Sequence, residues 1–170
     1  MILRAATPAD VPALSRLAIS SFVDAFGYLY SPADLGAFIA EALSEPPIAA
    51  ELANPARLYR LAEQDGLLVA FCKLGLNCGF PAYARGRHVL ELKQLYAASA
   101  ATGQGIGGAL MDWAMGEFAA RGADEVQISV YSGNAGAQRF YARYGFAKVA
   151  DITFKVGEQL DPEFLYAKLL

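Results

Sequence analysis

The chain has 170 residues, of which 55% are hydrophobic and 18% charged, and its net charge is −3. That composition excludes a disordered chain and points to one globular domain, residues 1–170, with a sizeable core. No apolar run approaches the roughly 20 residues needed to span a bilayer, and no Lys/Arg run favours nucleic acid.

In chain order, the start MILRAATPADVP lacks a signal peptide's apolar segment, so a cytoplasmic protein is expected. Leu3 sits in a short opening strand. Thr7-Pro8-Ala9-Asp10 reads as a helix start with a carboxylate capping box, and Leu14, Leu17, Ala18 and Phe22 follow at helical spacing. Ser31-Pro32-Ala33-Asp34 repeats the signal and opens a helix through Leu43, which Glu45-Pro46-Pro47 should stop. Arg57 to Gln64 and Leu67 to Leu74 read as strands joined by the hairpin signal Asp65-Gly66. Cys72 and Cys78 form neither a disulfide framework nor a metal-ligand set, and free thiols are expected. Asn77 to Arg87 is a loop, and Val89 to Ala97 the next strand. Ala109 to Arg121 is helical and ends at Gly122. Glu125 to Tyr131 is a strand and Asn134 to Tyr144 a helix. Phe146 to Lys155 and Phe164 to Leu169 close the chain as strands. The order β-α-α-β-β-β-α-β-α-β-β describes an α/β chain, a mixed sheet with helices on its faces.

Thr102 to Gly108, TGQGIGG, joins a strand to a helix. A glycine-dense turn of this kind exposes backbone N–H groups at a helix N-terminus, which suits phosphate. Gly103, Gly105 and Gly108 satisfy the dinucleotide pattern G-x-G-x-x-G, with Asp124 near the distance of a ribose-binding acid. However, the turn lies past mid-chain behind a hairpin, and too little chain remains for a second mononucleotide half. A P-loop fails because no Lys-Ser or Lys-Thr pair follows the glycines. A cradle for the pyrophosphate of coenzyme A is the third reading.

The run ELKQLYA…TGQGIGGALMDWA, followed by NAGAQRFYARYGF, resembles the GCN5-related N-acetyltransferase (GNAT) superfamily. Its acetyl-CoA signature, Arg/Gln-x-x-Gly-x-Gly/Ala, is matched by Thr102, Gly103, Gln104, Gly105, Ile106 and Gly107, except that Thr102 replaces the usual Arg or Gln. Its second signature is matched by Asn134, Ala137, Phe140, Tyr141, Gly145 and Phe146. The two ends of the chain resemble the PaiA-like, polyamine-acetylating branch. The resemblance implies the acyl-CoA N-acyltransferase fold, a central, mostly antiparallel mixed sheet flanked by helices. It also implies acetyl-CoA as co-substrate, a small-molecule amine as acceptor, and the homodimer that this family often forms through late strands. On the same warrant the backbones of Leu95, Tyr96 and Ala97 hold the pantetheine arm as an added strand. Residues 102–108 hold the pyrophosphate, and Tyr141 gives a proton to the leaving thiolate.

Several roles stay open beside plainer ones. Tyr141 could simply pack on Phe140. Asn134 suits a helix N-cap and could also meet the pantetheine arm, and Arg143 is either a phosphate contact or a solvated charge. Glu91 is the candidate base, acting through water, on a strand where positions 91, 93 and 95 should share a face; a salt bridge to Lys93 or Arg87 is its alternative. His88 reads as a loop-end histidine. Phe22, Phe26, Tyr28, Tyr30, Phe80 and Tyr83, with Asp24 and Asp34, are candidates for holding an alkyl-ammonium acceptor. A non-catalytic acyl-CoA sensor on the same fold is the rival function.

Overall fold

The hairpin signal Asp65-Gly66 acts as its residues dictate. Both adopt positive φ, +50° and +77°, the geometry of a type I′ turn. It joins β2 (Arg57–Gln64) to β3 (Leu67–Gly75). In the computed structural model, which describes residues 1–170, these strands belong to a seven-stranded sheet of order β1-β2-β3-β4-β5-β7-β6. The others are β1 (Ile2–Ala5), β4 (Val89–Ala97), β5 (Glu125–Tyr131), β6 (Ala147–Val156) and β7 (Gln159–Leu169). Every neighbouring pair is antiparallel except β4 with β5, so the sheet is mixed and mostly antiparallel.

Helices cover both faces. α1 (Val11–Phe26), α2 (Pro32–Phe38) and α3 (Glu45–Ala53) lie on one, packed through Leu14, Phe22, Phe38 and Ile48 onto Leu61 and Phe71. α4 (Ile106–Ala120) and α5 (Ala135–Arg143) cover the other, through Leu110, Met111, Phe118 and Tyr141 onto Leu90, Leu92, Val126 and Ile128. At the first helix start, Asp10 accepts from the Thr7 N–H at 2.8 Å and from Arg4 at 2.7 Å. Arg4 thereby holds the Asp10 carboxyl well below its ordinary range.

Three expectations need correction. Pro46 and Pro47 do end the preceding helix, but they also open α3, sitting in its first turn where a missing N–H breaks no helical bond. β7 begins at Gln159 rather than Phe164 and runs through Pro162, whose carbonyl accepts the Ser132 N–H at 3.0 Å. Finally, positions 91, 93 and 95 do not share one face. The register with β3 pairs Lys73 with Gln94 but Leu74 with Leu92, so Lys93 is an extra, bulged residue. Beyond it the alternation is reversed. Leu95 joins Leu92 in the core under α4, while Tyr96 packs under α1 on Phe71, ring centroids 5.5 Å apart.

Candidate active site

β4 and β5 pair only at Val89–Glu125, Leu90–Val126 and Glu91–Gln127. From there they diverge. Leu95, Tyr96 and Ala97 remain bonded to β3 through Cys72, Phe71 and Ala70, and their other edge faces an open seam. A narrow extended ligand can complete the sheet there.

The glycine turn stands beside the C-terminal end of β4. Gly103 and Gly105 have φ of +76° and +79°, and Gly105 is the N-cap of α4. A Cβ at either would touch nothing within 4 Å, so the dihedral, not crowding, requires glycine; another residue there costs about 1–2 kcal/mol. The first amide of this stretch to find a backbone acceptor is Ala109, bonded to the Gly105 carbonyl at 3.1 Å. The N–H groups of residues 103–108 donate to no protein acceptor. Consecutive orphan donors at a positive helix end fit a pyrophosphate. The Thr102 hydroxyl bonds the Ser99 carbonyl at 2.7 Å, and the Gln104 side chain bonds the Ala100 carbonyl at 2.8 Å. Both side chains brace the turn.

Tyr141, on α5, is 6% exposed and packs edge-on against Phe140 and Phe146. Burial raises its phenol pKa, with Cys72 and Tyr96 adding to the shift, so the proton is held at neutral pH. Asn134 caps α5, accepting the Ala137 N–H at 3.0 Å. The exposed Arg143 lies over the Phe140 ring at 5.5 Å. Asp124, which the dinucleotide pattern would assign to a ribose, instead accepts the N–H groups of Arg87 and His88, each at 2.9 Å. Cys72 is fully buried and burial raises its thiol pKa, while Cys78 contacts Gln127. The Cys72 thiol is thus not an activated nucleophile.

On the opposite face, Glu91 is 6% exposed and paired with Lys93 at 2.9 Å. Gly79 covers it so closely that a Cβ would collide with its carboxylate. Glu125 accepts from the backbones of Arg85 and Gly86, each at 2.7 Å, and from the Arg85 guanidinium at 3.1 Å. Two further acids, Asp161 and Glu163 on β7, lie buried at 2% and 8% exposure. Tyr30 donates its hydroxyl to Asp161, and Ser129 donates to Glu163 at 2.8 Å. No cation reaches either carboxylate within ion-pair distance. Phe26 and Tyr131 pack edge-on nearby, centroids 6.0 Å apart.

The acid pair escaped the sequence reading because it obeys no motif. The pairing of β5 with β7 brings Glu163 to Ser129, and the connection after α1 brings Tyr30 to Asp161, 131 residues away in sequence. The acids named from sequence do other work. Asp24 accepts from Ser99 at 2.7 Å, and Asp34 anchors the β6–β7 turn through the Glu158 N–H at 2.8 Å. Of the aromatics, Phe22 is core, Tyr28 and Tyr83 are exposed, and Phe80 bonds the Gln127 side chain through its backbone, while Phe26 packs on Tyr131 and Tyr30 bonds Asp161. A cavity of about 610 Å³ opens on the same face, lined by Phe38, Glu51, Lys73 and Phe154 among others, and no residue of the glycine turn borders it.

Comparison with known proteins gives a consistent result. The model of the acetyltransferase (GNAT) family matches residues 20–146. An uncharacterised N-acetyltransferase in the pepI 3′ region of Lactobacillus delbrueckii subsp. lactis is 24% identical over 165 residues, covering 95% of this chain and 92% of that one. The crystal structure of PaiA N-acetyltransferase from Thermoplasma acidophilum, in complex with coenzyme A, superposes with a TM-score of 0.80 at 21% identity, covering 99% and 98% of the two chains. Ribosomal-protein-alanine N-acetyltransferase from Brucella melitensis gives 0.75 at 25% identity, with both chains covered fully.

Proposed function

Since the chain belongs to the GNAT acetyltransferase family and is an acetyl-CoA-dependent N-acetyltransferase, we propose that a primary amine attacks the thioester directly, without a covalent acetyl-enzyme. The observation that carries this reading is one juxtaposition. An open seam between β4 and β5 leads from a turn of unpartnered N–H groups to a buried phenol on one face and buried carboxylates on the other.

Acetyl-CoA supplies the activated acyl group, and the residues present fit it. The N–H groups of residues 103–108 hold the pyrophosphate. The seam edge at Leu95, Tyr96 and Ala97 grips the pantetheine amides and offers N–H donors to the carbonyl oxygen as charge builds there. Asn134 and Arg143, at the two ends of α5, are the residues assigned to the arm and to a phosphate respectively on this reading. Tyr141, protonated at neutral pH, gives a proton to the departing sulfur. Two carboxylates stand on the acceptor face for the ammonium's proton. Glu91 is the one its strand position recommends, acting through water; Glu163 is argued below.

For the acceptor, we propose an aliphatic amine of the polyamine class, with spermidine the first to test. Support comes from the resemblance of the chain's two ends to the polyamine-acetylating branch, and from the aromatic-walled acids Asp161 and Glu163. A non-catalytic acyl-CoA sensor is the second reading. Thr102 favours it, because its hydroxyl is engaged by Ser99 and contributes no charged contact to a phosphate. Mass spectrometry of reactions with acetyl-CoA and an amine panel headed by spermidine and spermine decides. Acetylated spermidine, absent with Tyr141→Phe, supports both the reaction and the acceptor. Another acetylated amine keeps the reaction and discards the polyamine. Bound CoA with no acetylated product turns the balance to the sensor.

A further inference from the structure

Three glutamates lie at least nine-tenths buried on the acceptor face, and they are not equivalent. Glu125 is surrounded by two backbone N–H groups and a guanidinium. Burial alone would raise its pKa, but these donors outweigh it and hold the carboxyl below its ordinary value. It fastens the 85–86 loop. Glu91 has the Lys93 ammonium at 2.9 Å and sits at the last register where β4 and β5 still pair. Glu163 has one neutral hydroxyl, Ser129, and no cation. A buried carboxylate without a counter-charge is costly, so fold stability does not explain it.

Its position gives the explanation. Glu163 pairs in register with Tyr131, and Ser129 and Tyr131 lie on β5 beyond the end of its pairing with β4. Across the seam stands Tyr96. Burial raises the Tyr96 phenol, and the Glu163 charge adds to that shift. Behind Glu163, Asp161 is held by Tyr30 and by Gln159 at 2.8 Å.

We propose that Glu163 is the catalytic base that takes the proton from the incoming primary ammonium, and that Asp161, positioned by Tyr30, is the fixed negative charge that draws the ammonium in. The assignment rests on the acetyltransferase reading above. R–NH3+ gives one proton to the Glu163 carboxylate, which becomes the acid, and the nitrogen lone pair is freed. The N–C bond then forms and the C–S bond breaks. A second proton leaves the nitrogen and, through water, replaces the one that Tyr141 gives to sulfur. Glu163 returns its proton to solvent. The groups facing Glu163 are Asp161 on its own strand, Tyr30 after α1, Tyr96 on β4, and Ser129 and Tyr131 on β5. Burial, with the Asp161 charge adding to it, outweighs the Ser129 hydrogen bond and raises its pKa to about 7, which suits a base working near neutrality.

Glu163→Gln keeps the shape and removes the base. For the wild type, kcat/KM against pH should rise along a limb with a midpoint near 7. In Glu163→Gln that limb should vanish. The value at pH 7 should fall about 100-fold or more and recover as pH approaches the amine's own pKa, because a free amine needs no base. Glu91→Gln should retain the limb near 7 whatever its rate. A Glu163→Gln profile parallel to the wild type, or loss of the limb in Glu91→Gln instead, overturns the proposal. Calorimetric acetyl-CoA affinity equal to the wild type's confirms that the variant folds. Carbon-13 NMR of the CoA complex provides a readout free of turnover. The carboxyl resonance missing from Glu163→Gln should titrate near pH 7, and titration in the ordinary glutamate range sinks the proposal. If the wild type acetylates no amine, the acetyltransferase reading fails separately, and this titration still judges Glu163.

Discussion

The two sides of the seam are built by different means. The cofactor side is local and made of backbone: six consecutive residues, Gly103 to Gly108, present their N–H groups at one helix end, and Tyr141 lies one strand and one helix further along. The acceptor side is assembled at long range from side chains. Tyr30 comes from the connection after α1, Tyr96 from β4, Ser129 from β5, and Asp161 and Glu163 from β7. A ligand common to a whole family is met by backbone geometry, which many sequences can supply. On the proposed assignment, an acceptor particular to one enzyme would meet side chains, which change one at a time.

The largest effect should come where the two sides meet. Tyr141→Phe should lower kcat by about 10²- to 10⁴-fold while calorimetric acetyl-CoA affinity stays unchanged; weaker affinity would show that the phenol belongs to the binding surface and blur the division. Gly105→Val comes next. The strain of about 1–2 kcal/mol at positive φ should weaken acetyl-CoA binding about 5- to 30-fold and leave the NMR titration of Glu163 untouched. A shift in that titration would mean that the sides are not independent.

The smallest effect is thermal. Glu163 has a folded pKa of about 7 against an ordinary 4.5. The fold therefore holds a proton there that the unfolded chain has released, and stability falls as pH rises between those values. Glu163→Gln removes this loss. Its Tm relative to the wild type should be higher at pH 8 than at pH 4, on the order of 2–4 °C for each kcal/mol relieved. A difference that does not change with pH would place the Glu163 charge in ordinary solvent contact.

The cofactor side was legible because its signals are short. Glycine at positive φ, an N-cap asparagine and the aromatic pattern from Phe140 to Phe146 can each be read within a dozen residues. The bounds of β2, β4 and β5 and the Asp65-Gly66 turn follow from the same local rules. The acceptor side was not legible, because its geometry depends on counting. One extra residue at Lys93 exchanges the faces of the β4 tail, taking Leu95 into the core and Tyr96 toward the acids. Composition does not announce such a bulge. The last strand expected from sequence, Phe164 to Leu169, excludes both acids, whereas β7 starts at Gln159 and carries them. Pro46 and Pro47 misled in the opposite direction: read as a stop, they were also a start.

The open seam has a further use. Amides of β4 and β5 that point into it lack the strand partner that protects their neighbours, so their hydrogens should exchange with solvent as freely as those of a loop, although they lie in the middle of a sheet. A thread-like molecule lying along the seam would silence that exchange residue by residue, and the length of the protected run would measure how far in it reaches. The protein thus carries its own gauge of occupancy. The gauge answers to any ligand that fits the gap, whether or not that ligand can react.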